Sequence, residues 1–514
     1  MISTKKNFIL AILLAIPFFS ISQEVVKITQ GKVQGYTQDH IRIFKGIPFA
    51  APPVGNLRWK APQPVQPWSG IKKCLAFSAS PVQSKPTPFM FWSKEFLIPE
   101  SPISEDCLYL NVWTGAKQAA EKRPVLVYIY GGGFRSGGAG CPIYDGKAMA
   151  EKGIIFVSIN YRVGVLGFLA HPELSKESNQ HTSGNYALLD MIAALKWVKQ
   201  NISAFGGDPG RVTIAGQSAG AFGVNYLTVS PLAKGLFHRA IAESGGNFYV
   251  NPARPSLDLK SAEILGLKFA ANLHCNTIKE LRSKSADEIL NAEGGMSFPI
   301  IDGVVIPMPV ADTYKKGKQN DVPIIVGWNQ DDKVMNKTIE VSLFKDQMIK
   351  RFGDRADDFF KAYPSNTQEE SDHTQFNLSR DETFGLQDYA WAKIQSQTGK
   401  AKAFMYNFNR QVPAYSSETA YGAFHSGEIV YAYDNLGTVD RPWEPIDQSI
   451  ATKMSAYWVN FIKSGDPNGK DLPRWEPYDT QRETTLIIDK VIESKPIPSK
   501  AQFTFWENYY STIK

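Results

Sequence analysis

A strand-like run that ends in a serine between two glycines limits the fold of this chain more than any other feature. The β-branched run VTI at 212–214 precedes the segment GQSAG at 216–220, and small residues that suit a helix follow. In the pattern G-x-S-x-G between a strand and a helix, the glycines allow a sharp, strained turn. The hydroxyl, here that of Ser218, then projects alone above the sheet. The alternative is a glycine-rich turn with an incidental serine, but the flanking strand and helix favour an exposed nucleophile.

The rest of the chain alternates strands with helices. Continuous apolar runs of strand length suit strands that are buried on both faces of a sheet. These runs are PVLVYIY (124–130), IIFVSIN (154–160), VPIIVGW (322–328) and KAFMYNF (402–408). Apolar residues that recur every three or four positions over 189–202 predict an amphipathic helix. The alternation predicts the α/β class, with a mostly parallel, doubly wound, twisted sheet flanked by helices. We interpret the charged, helical regions 256–298 and 338–398 as insertions on this sheet.

The first 22 residues have the pattern of a secretory signal peptide. A basic start precedes a short apolar run at 8–19, and small residues stand just before Gln23. The apolar run is shorter than the roughly 20 residues that cross a bilayer. We therefore expect residues 1–22 to be cleaved before Gln23 and the rest to be exported, secreted or periplasmic, without a transmembrane segment. No linker rich in glycine and serine divides residues 23–514, so we expect one domain.

The charge of the chain excludes some partners. The formal net charge of +6 is mild for 514 residues, and the signal segment contributes Lys5 and Lys6 to it without any acidic residue. With no basic cluster elsewhere, we expect no nucleic-acid partner. The sequence contains neither an H-E-x-x-H motif nor a Walker-type loop, and we expect no metal and no organic cofactor.

A serine nucleophile needs an adjacent base and an acid that orients it. His425 lies in YGAFHSGEIVY (421–431), after the last strong strand run, and the order serine, acid, histidine is that of α/β-hydrolases. A surface-loop histidine is the alternative. Asp331 and Asp332 follow the run at 322–328, where a buried carboxylate would hold the imidazole tautomer and stabilise the imidazolium. Spacing alone does not choose between the two aspartates.

A glycine loop supplies candidate donors for an oxyanion. The segment YIYGGGF ends a predicted strand in Gly131, Gly132 and Gly133, whose N–H groups can face a ligand without side chains in the way. The N–H of Ala219, directly after the serine, would be a further donor. A glycine triplet is often only a flexible turn, but its place after a buried strand favours the functional interpretation.

With these residues known, the chain resembles the type-B carboxylesterase/lipase family, which includes the cholinesterases, from residue 24 to residue 510. The segments that carry the resemblance are FKGIPFAAPPVGNLRW, SEDCLYLNVW, YIYGGGF, NYRVGVLGFL, FGGDPGRVTIAGQSAG, KGLFHRAIAESG, HSGE and FIKSGDPN. The resemblance implies an α/β-hydrolase fold with Ser218 as nucleophile and His425 as base. The family stretch G-x-N-x-D-E reads GWNQDD here, so Asp332 takes the acid position that the family gives to glutamate, with Asp331 as second choice.

The resemblance also implies roles for other residues. Gly132, Gly133 and Ala219 match the oxyanion donors of the family, and Gln217 replaces its usual acidic residue beside the serine. A disulfide between Cys74 and Cys107 is implied at the mouth of the site, as is a structural ion pair between Arg58 and Glu105. Cys141 and Cys275 are expected to be free.

The predicted function is hydrolysis of a small-molecule carboxylic ester through an acyl-enzyme. One alternative is a cholinesterase-like adhesion protein without catalysis, although all three triad positions are filled. Another is a Ser–Lys esterase, because SLFK (342–345) fits S-x-x-K. Four aromatic residues flank the motifs and either line a substrate pocket or pack under it: Phe134, Phe222, Trp328 and Phe424.

Overall fold

Thirteen strands join into one sheet in the computed structural model, which describes residues 23–250, 256–335 and 337–512. The predicted signal peptide, residues 1–22, lies outside the described residues. The strands are β1 (Gln23–Ile28), β2 (Gly31–Gln38), β3 (Ile41–Pro48), β4 (Ile71–Lys73), β5 (Tyr109–Thr114), β6 (Arg123–Ile129), β7 (Ile155–Ile159), β8 (Gly207–Gln217), β9 (Arg239–Glu243), β10 (Ile324–Asn329), β11 (Ala403–Phe408), β12 (Thr484–Ile488) and β13 (Ile492–Pro496).

The centre of the sheet is parallel. The strand order is β1-β2-β3-β5-β7-β6-β8-β9-β10-β11-β12-β13, with β4 beside β2. Every neighbouring pair from β7 to β12 is parallel, and the other pairs in this order are antiparallel. All residues of β7, β10 and β11 are buried, because helices cover both faces of a parallel sheet. The predicted α/β class, with a mostly parallel sheet flanked by helices, is confirmed.

Helices connect and flank these strands. They are α1 (Lys147–Glu151), α2 (Gly164–Phe168), α3 (Pro172–Glu177), α4 (Tyr186–Asn201), α5 (Ala219–Val229), α6 (Leu259–Asn272), α7 (Ile278–Ser283), α8 (Ala286–Asn291), α9 (Val310–Lys315), α10 (Val341–Phe352), α11 (Ala356–Ala362), α12 (Gln368–Arg380), α13 (Leu386–Thr398), α14 (Ile429–Ala432), α15 (Pro445–Ser464) and α16 (Lys500–Thr512). A π-helical segment, Asp381–Gly385, joins α12 to α13. The two charged regions that we interpreted as insertions form α6–α8 and α10–α13. Of the helices described, none has the length and apolar character needed to cross a bilayer.

The candidate residues gather at one edge of the sheet. Ser218 directly follows β8, and Asp332 follows β10, two strands away in the sheet. The carboxyl ends of parallel strands meet at the same edge, which is where open α/β sheets bind their ligands. The fold therefore brings together side chains that are far apart in the sequence.

The disulfide that the resemblance implies between Cys74 and Cys107 does not form in this structure, where all four cysteines are free, buried thiols. The carbonyl of Cys74 accepts the N–H of Lys45 in β3. Leu108, next to Cys107, accepts the N–H of Phe49, just beyond the end of β3. These two contacts are four residues apart along a segment that contains an irregularity between Phe44 and Ile47.

The implied ion pair in the same region does form. The guanidinium Nη2 of Arg58 lies 2.5 Å from Oε1 of Glu105, and both side chains are largely buried. Arg58 also donates to the carbonyls of Arg282 and Lys284, which lie in and just after α7. The loop before β5 is thus held by this ion pair and its hydrogen bonds rather than by a covalent bridge.

We expect the unreduced protein, once denatured, to react with thiol reagent at all four cysteines. The native protein should react slowly, because burial raises the pKa of the Cys74 thiol to about 12 and so suppresses its thiolate. Titration with Ellman's reagent in guanidinium chloride, before and after reduction with dithiothreitol, measures this. A count that rises from two to four on reduction would show that a disulfide exists.

Candidate active site

Ser218 lies on a strained turn where β8 meets α5. Its φ of 55° and ψ of −123° place a non-glycine residue in a region that costs about 1–3 kcal/mol and persists only where neighbours hold it. The N–H of Ser218 donates to the carbonyl of Glu243, the last residue of β9, at 2.9 Å. Its own carbonyl accepts the N–H of Phe222 at 3.0 Å, which begins the helical bonding of α5.

The two glycines around Ser218 are required by close backbone approach. A Cβ on Gly220 would collide with the carbonyl oxygen of Ile129 at the end of β6. A Cβ on Gly216 would lie 2.5 Å from the carbonyl carbon of Gly220, closer than two such atoms pack. The pattern in the sequence therefore reflects a crossing of β6, β8 and α5 that leaves no room for side chains.

The structure brings His425 and Asp332 into contact. The imidazole Nδ1 lies 2.5 Å from Oδ1 of Asp332, and both side chains are almost completely buried. The second carboxylate oxygen of Asp332 accepts the N–H of Asn329 at 3.0 Å. With Nδ1–H donated to Asp332, the other ring nitrogen of His425 is the one left to accept a proton.

Asp331, the second choice for the acid, has a different partner. Its carboxylate accepts the N–H of Ala423 at 2.8 Å, and its own N–H donates to the carbonyl of Ala423 at 3.0 Å. Asp331 therefore holds the backbone of the loop that carries His425. The carboxylate of Asp331 is thus occupied by the backbone of Ala423, whereas that of Asp332 faces the imidazole.

A cavity of about 480 Å³ opens beside Ser218 and His425. Gly132 and Gly133 line it, with φ of 111° and 64° that favour glycine. Ala219 is the first residue of α5, and N–H groups at a helix start have no partner within the helix and favour an anion. The apolar part of the lining is formed by Phe89, Trp92, Phe96, Leu97, Ile98 and Val334.

Three further side chains surround His425, and the sequence gave little sign of them. The amide nitrogen of Gln217 lies 3.3 Å from each ring nitrogen. The sequence showed that Gln217 replaces the usual acidic residue of the family, but it did not predict this contact. Phe384 stacks on the imidazole with ring centroids 4.6 Å apart, and Trp92 lies nearly perpendicular to it with ring centroids 6.0 Å apart. No motif marks Phe384 or Trp92, since both belong to segments distant in the chain.

Buried carboxyl groups surround Asp332. Burial raises the pKa of Glu243 to about 8, against hydrogen bonds from Trp458 and Tyr433 that lower it. Burial, and then the negative charge of Asp332, raises the pKa of Asp388 well above its usual range. The pKa of Glu428 is raised in the same way by burial and by the charges of Glu243 and Asp332. Burial therefore disfavours the charged form of these three acids, while Asp332 contacts the imidazole.

Of the two interpretations left open for the four aromatic residues near the motifs, packing fits better, because none of them lines the 480 Å³ cavity. Phe134 and Phe222 line a much smaller separate cavity, of about 20 Å³. Trp328 packs edge-on against Phe503 in the core, because β10 is buried on both faces. Phe424 packs below the site on aromatic neighbours and has only 1% of its surface exposed. Other apolar side chains therefore line the larger cavity.

The second serine motif does not form a site. Ser342 is exposed on α10, and it is not among the described residues that line the cavity beside Ser218. The S-x-x-K spacing therefore reflects one turn of a surface helix.

Comparison with known proteins identifies relatives in sequence and in fold. The profile of the Carboxylesterase family matches residues 22–506. The chain is 35% identical to a fumonisin B1 esterase of Sphingopyxis macrogoltabida, over 93% of this chain and 89% of that one. It is 34% identical to a liver carboxylesterase of Sus scrofa, over 95% and 94%. A solved structure of PNB esterase superimposes with a TM-score of 0.80 at 28% identity, covering 94% of this chain and 99% of the other.

The buried Glu243 predicts a pH-dependent stability. Its pKa is raised in the folded protein, so folding takes up a proton and stability falls as pH rises from about 4.5 towards 8. Glu243→Gln removes this effect. We expect the variant to gain free energy of unfolding relative to the parent by at most about 1.4 kcal/mol per pH unit across that range.

Urea unfolding at pH 5, 6, 7 and 8 measures this difference. The exposed Glu100 supplies a matched control, and Glu100→Gln should show a difference that does not change with pH. A Glu243→Gln difference that is equally flat would mean that Glu243 is already ionised in the folded protein.

Proposed function

The chain belongs to the carboxylesterase family of serine hydrolases and hydrolyses carboxylic esters, and we propose that Ser218, His425 and Asp332 perform this reaction. The observation that carries the proposal is the 2.5 Å bond between His425 and Asp332 beside a cavity that Ser218 also lines. In this assignment Ser218 is the nucleophile, His425 the general base and Asp332 the acid that orients the base.

The first half of the reaction forms an acyl-enzyme. The hydroxyl oxygen of Ser218 attacks the ester carbonyl carbon while Nε2 of His425 takes its proton. Asp332 keeps the other nitrogen protonated and stabilises the imidazolium, since its carboxylate already bonds Nδ1. The amide of Gln217 contacts the ring nitrogens in the resting protein and must yield Nε2 to the serine.

The negative charge that develops on the carbonyl oxygen needs donors already in place. We assign this role to the N–H groups of Gly132, Gly133 and Ala219. The two glycines line the cavity, and Ala219 begins α5, whose dipole favours an anion. Donors fixed in the backbone need not reorganise when the tetrahedral intermediate forms.

The second half releases the products. The leaving alcohol oxygen takes the proton from His425, so the alcohol portion of the substrate must lie on the side of His425, in the 480 Å³ cavity. Water then attacks the acyl carbon while His425 takes its proton. The bond from this carbon to the Ser218 oxygen breaks, His425 returns the proton to that oxygen, and the carboxylic acid leaves. The apolar lining suits an uncharged, apolar alcohol portion. The scheme requires neither a metal nor an organic cofactor.

Export is part of the proposal. The signal pattern in residues 1–22 supports cleavage before Gln23 and a secreted or periplasmic enzyme. The mature enzyme, residues 23–514, would act as one domain on small-molecule esters and not on nucleic acid.

Ser218→Ala should abolish hydrolysis of p-nitrophenyl acetate and labelling by a fluorophosphonate, because Ser218 supplies the nucleophilic hydroxyl of the proposed triad. The exposed Ser342 provides the matched control, and Ser342→Ala should retain parental activity. Circular dichroism checks that both variants fold. Undiminished turnover by folded Ser218→Ala protein would overturn the assignment.

The two aspartates should differ strongly when each is changed to asparagine. Asp332→Asn removes the charge that balances the imidazolium and favours the wrong tautomer, a loss on the order of 10⁴ in kcat for a comparable triad. Asp331→Asn weakens only the backbone bond to Ala423, so we expect lower stability and a far smaller change in kcat. Purified variants compared on one p-nitrophenyl ester decide between them. If Asp331→Asn is the inactive one, Asp332 is not the acid.

A further inference from the structure

The π-helical segment Asp381–Gly385 reaches the active site from a helical insertion. It interrupts an otherwise continuous helix between α12 and α13, and such interruptions occur frequently at functional sites. A π turn contains an extra residue, so it moves the side chains that follow to a different face. Phe384 lies in this segment and is completely buried.

Phe384 covers one face of the His425 ring. The two rings are nearly parallel, with 15° between their planes and 4.6 Å between their centroids. Trp92 meets the imidazole at 87° with centroids 6.0 Å apart, and its indole N–H donates to Ser426 beside His425. Together with the bond from Nδ1 to Asp332, these contacts leave the imidazole little freedom to rotate.

The same segment is tied to the turn that carries the acid. Arg380, the last residue of α12, forms a buried ion pair with Asp381 at 2.8 Å. It also donates to the carbonyl of Gln330 at 3.0 Å, two residues before Asp332. The hydroxyl of Tyr363 donates to the other oxygen of Asp381 at 2.9 Å. The π segment is therefore anchored both to the acid turn and to the neighbouring α11 region.

We propose that Phe384 is a positioning residue for His425, which fixes the plane of the imidazole and stabilises the imidazolium through its aromatic face. The inference rests on the proposed role of His425 as base. An aromatic face attracts a cation, so the stacked ring favours the charged imidazole that exists only during the reaction. Binding of uncharged ester is unaffected, and the effect therefore belongs to kcat rather than to KM.

Other charged groups near His425 must be separated from this effect. Asp332 bonds the ring directly, and the variants at Phe384 retain this residue. Asp388 on α13, Glu428 beyond His425 and Glu243 on β9 are buried carboxyl groups whose pKa is raised, first of all by burial, and the variants leave all three unchanged. Gln217 is neutral.

The test compares Phe384→Leu and Phe384→Met with Phe503→Leu. Phe503 is also completely buried, and it lies so close to Gly385 that it would contact a Cβ there. Its ring packs on Trp328 and Tyr389. Phe503→Leu therefore controls for lost packing near the π segment. Active sites are counted by fluorophosphonate titration, which makes kcat independent of the folded fraction. The pH profile of kcat/KM on p-nitrophenyl acetate is measured from pH 4.5 to 9.

We expect both Phe384 variants to lose about tenfold in kcat with little change in KM, and the midpoint of the acidic limb to move about half a pH unit lower. The direction follows because a less stable imidazolium forms only at lower pH. Phe503→Leu should leave the midpoint unchanged. An unchanged midpoint in both Phe384 variants, or an equal shift in Phe503→Leu, would overturn the inference. Turnover by Ser218→Ala would instead overturn the proposed function, so the two failures are distinguishable.

Discussion

The backbone crossing beneath Ser218 is the constraint on which the rest of the site depends. Gly220 packs against the carbonyl of Ile129 so closely that a Cβ would collide, and this contact fixes where α5 leaves the sheet. The same contact forces Ser218 into its positive-φ conformation, and the bond from its N–H to Glu243 holds it there. Because β6, β8 and β9 are central strands of the sheet, the strain at one residue is held by a large packed core.

Burial then separates the roles of several carboxyl groups that lie close together. A buried carboxylate is costly unless it has partners, and Asp332 has both the imidazole of His425 and the N–H of Asn329. Glu243 is held by the indole of Trp458 and the hydroxyl of Tyr433, yet burial keeps its pKa near 8. Negative charge is thereby concentrated where a proton on the imidazole can balance it.

The walls of the site come from segments that the central sheet does not specify. The loop before β5 contributes Trp92 and the exposed ring of Phe89, and the π segment contributes Phe384. The sheet and the strained turn at Ser218 are those of the carboxylesterase family. These other segments instead line the cavity and pack against the faces of the imidazole. Differences in substrate among proteins with this fold are expected in such insertions, because function resides in the site rather than in the fold.

The amino-acid sequence by itself determined the parallel sheet, the strained turn at Ser218 and the glycine loop, because periodicity and short motifs report local backbone conformation. It also placed His425 in the right order along the chain. The family motif favoured Asp332 over Asp331, but only the tertiary structure showed that Asp332 contacts His425. The tertiary structure also left Cys74 and Cys107 unbonded, buried Trp328 and set Phe384 against His425. These outcomes depend on how distant strands and insertions pack against one another, and no local pattern encodes the distance between two segments until the fold has formed.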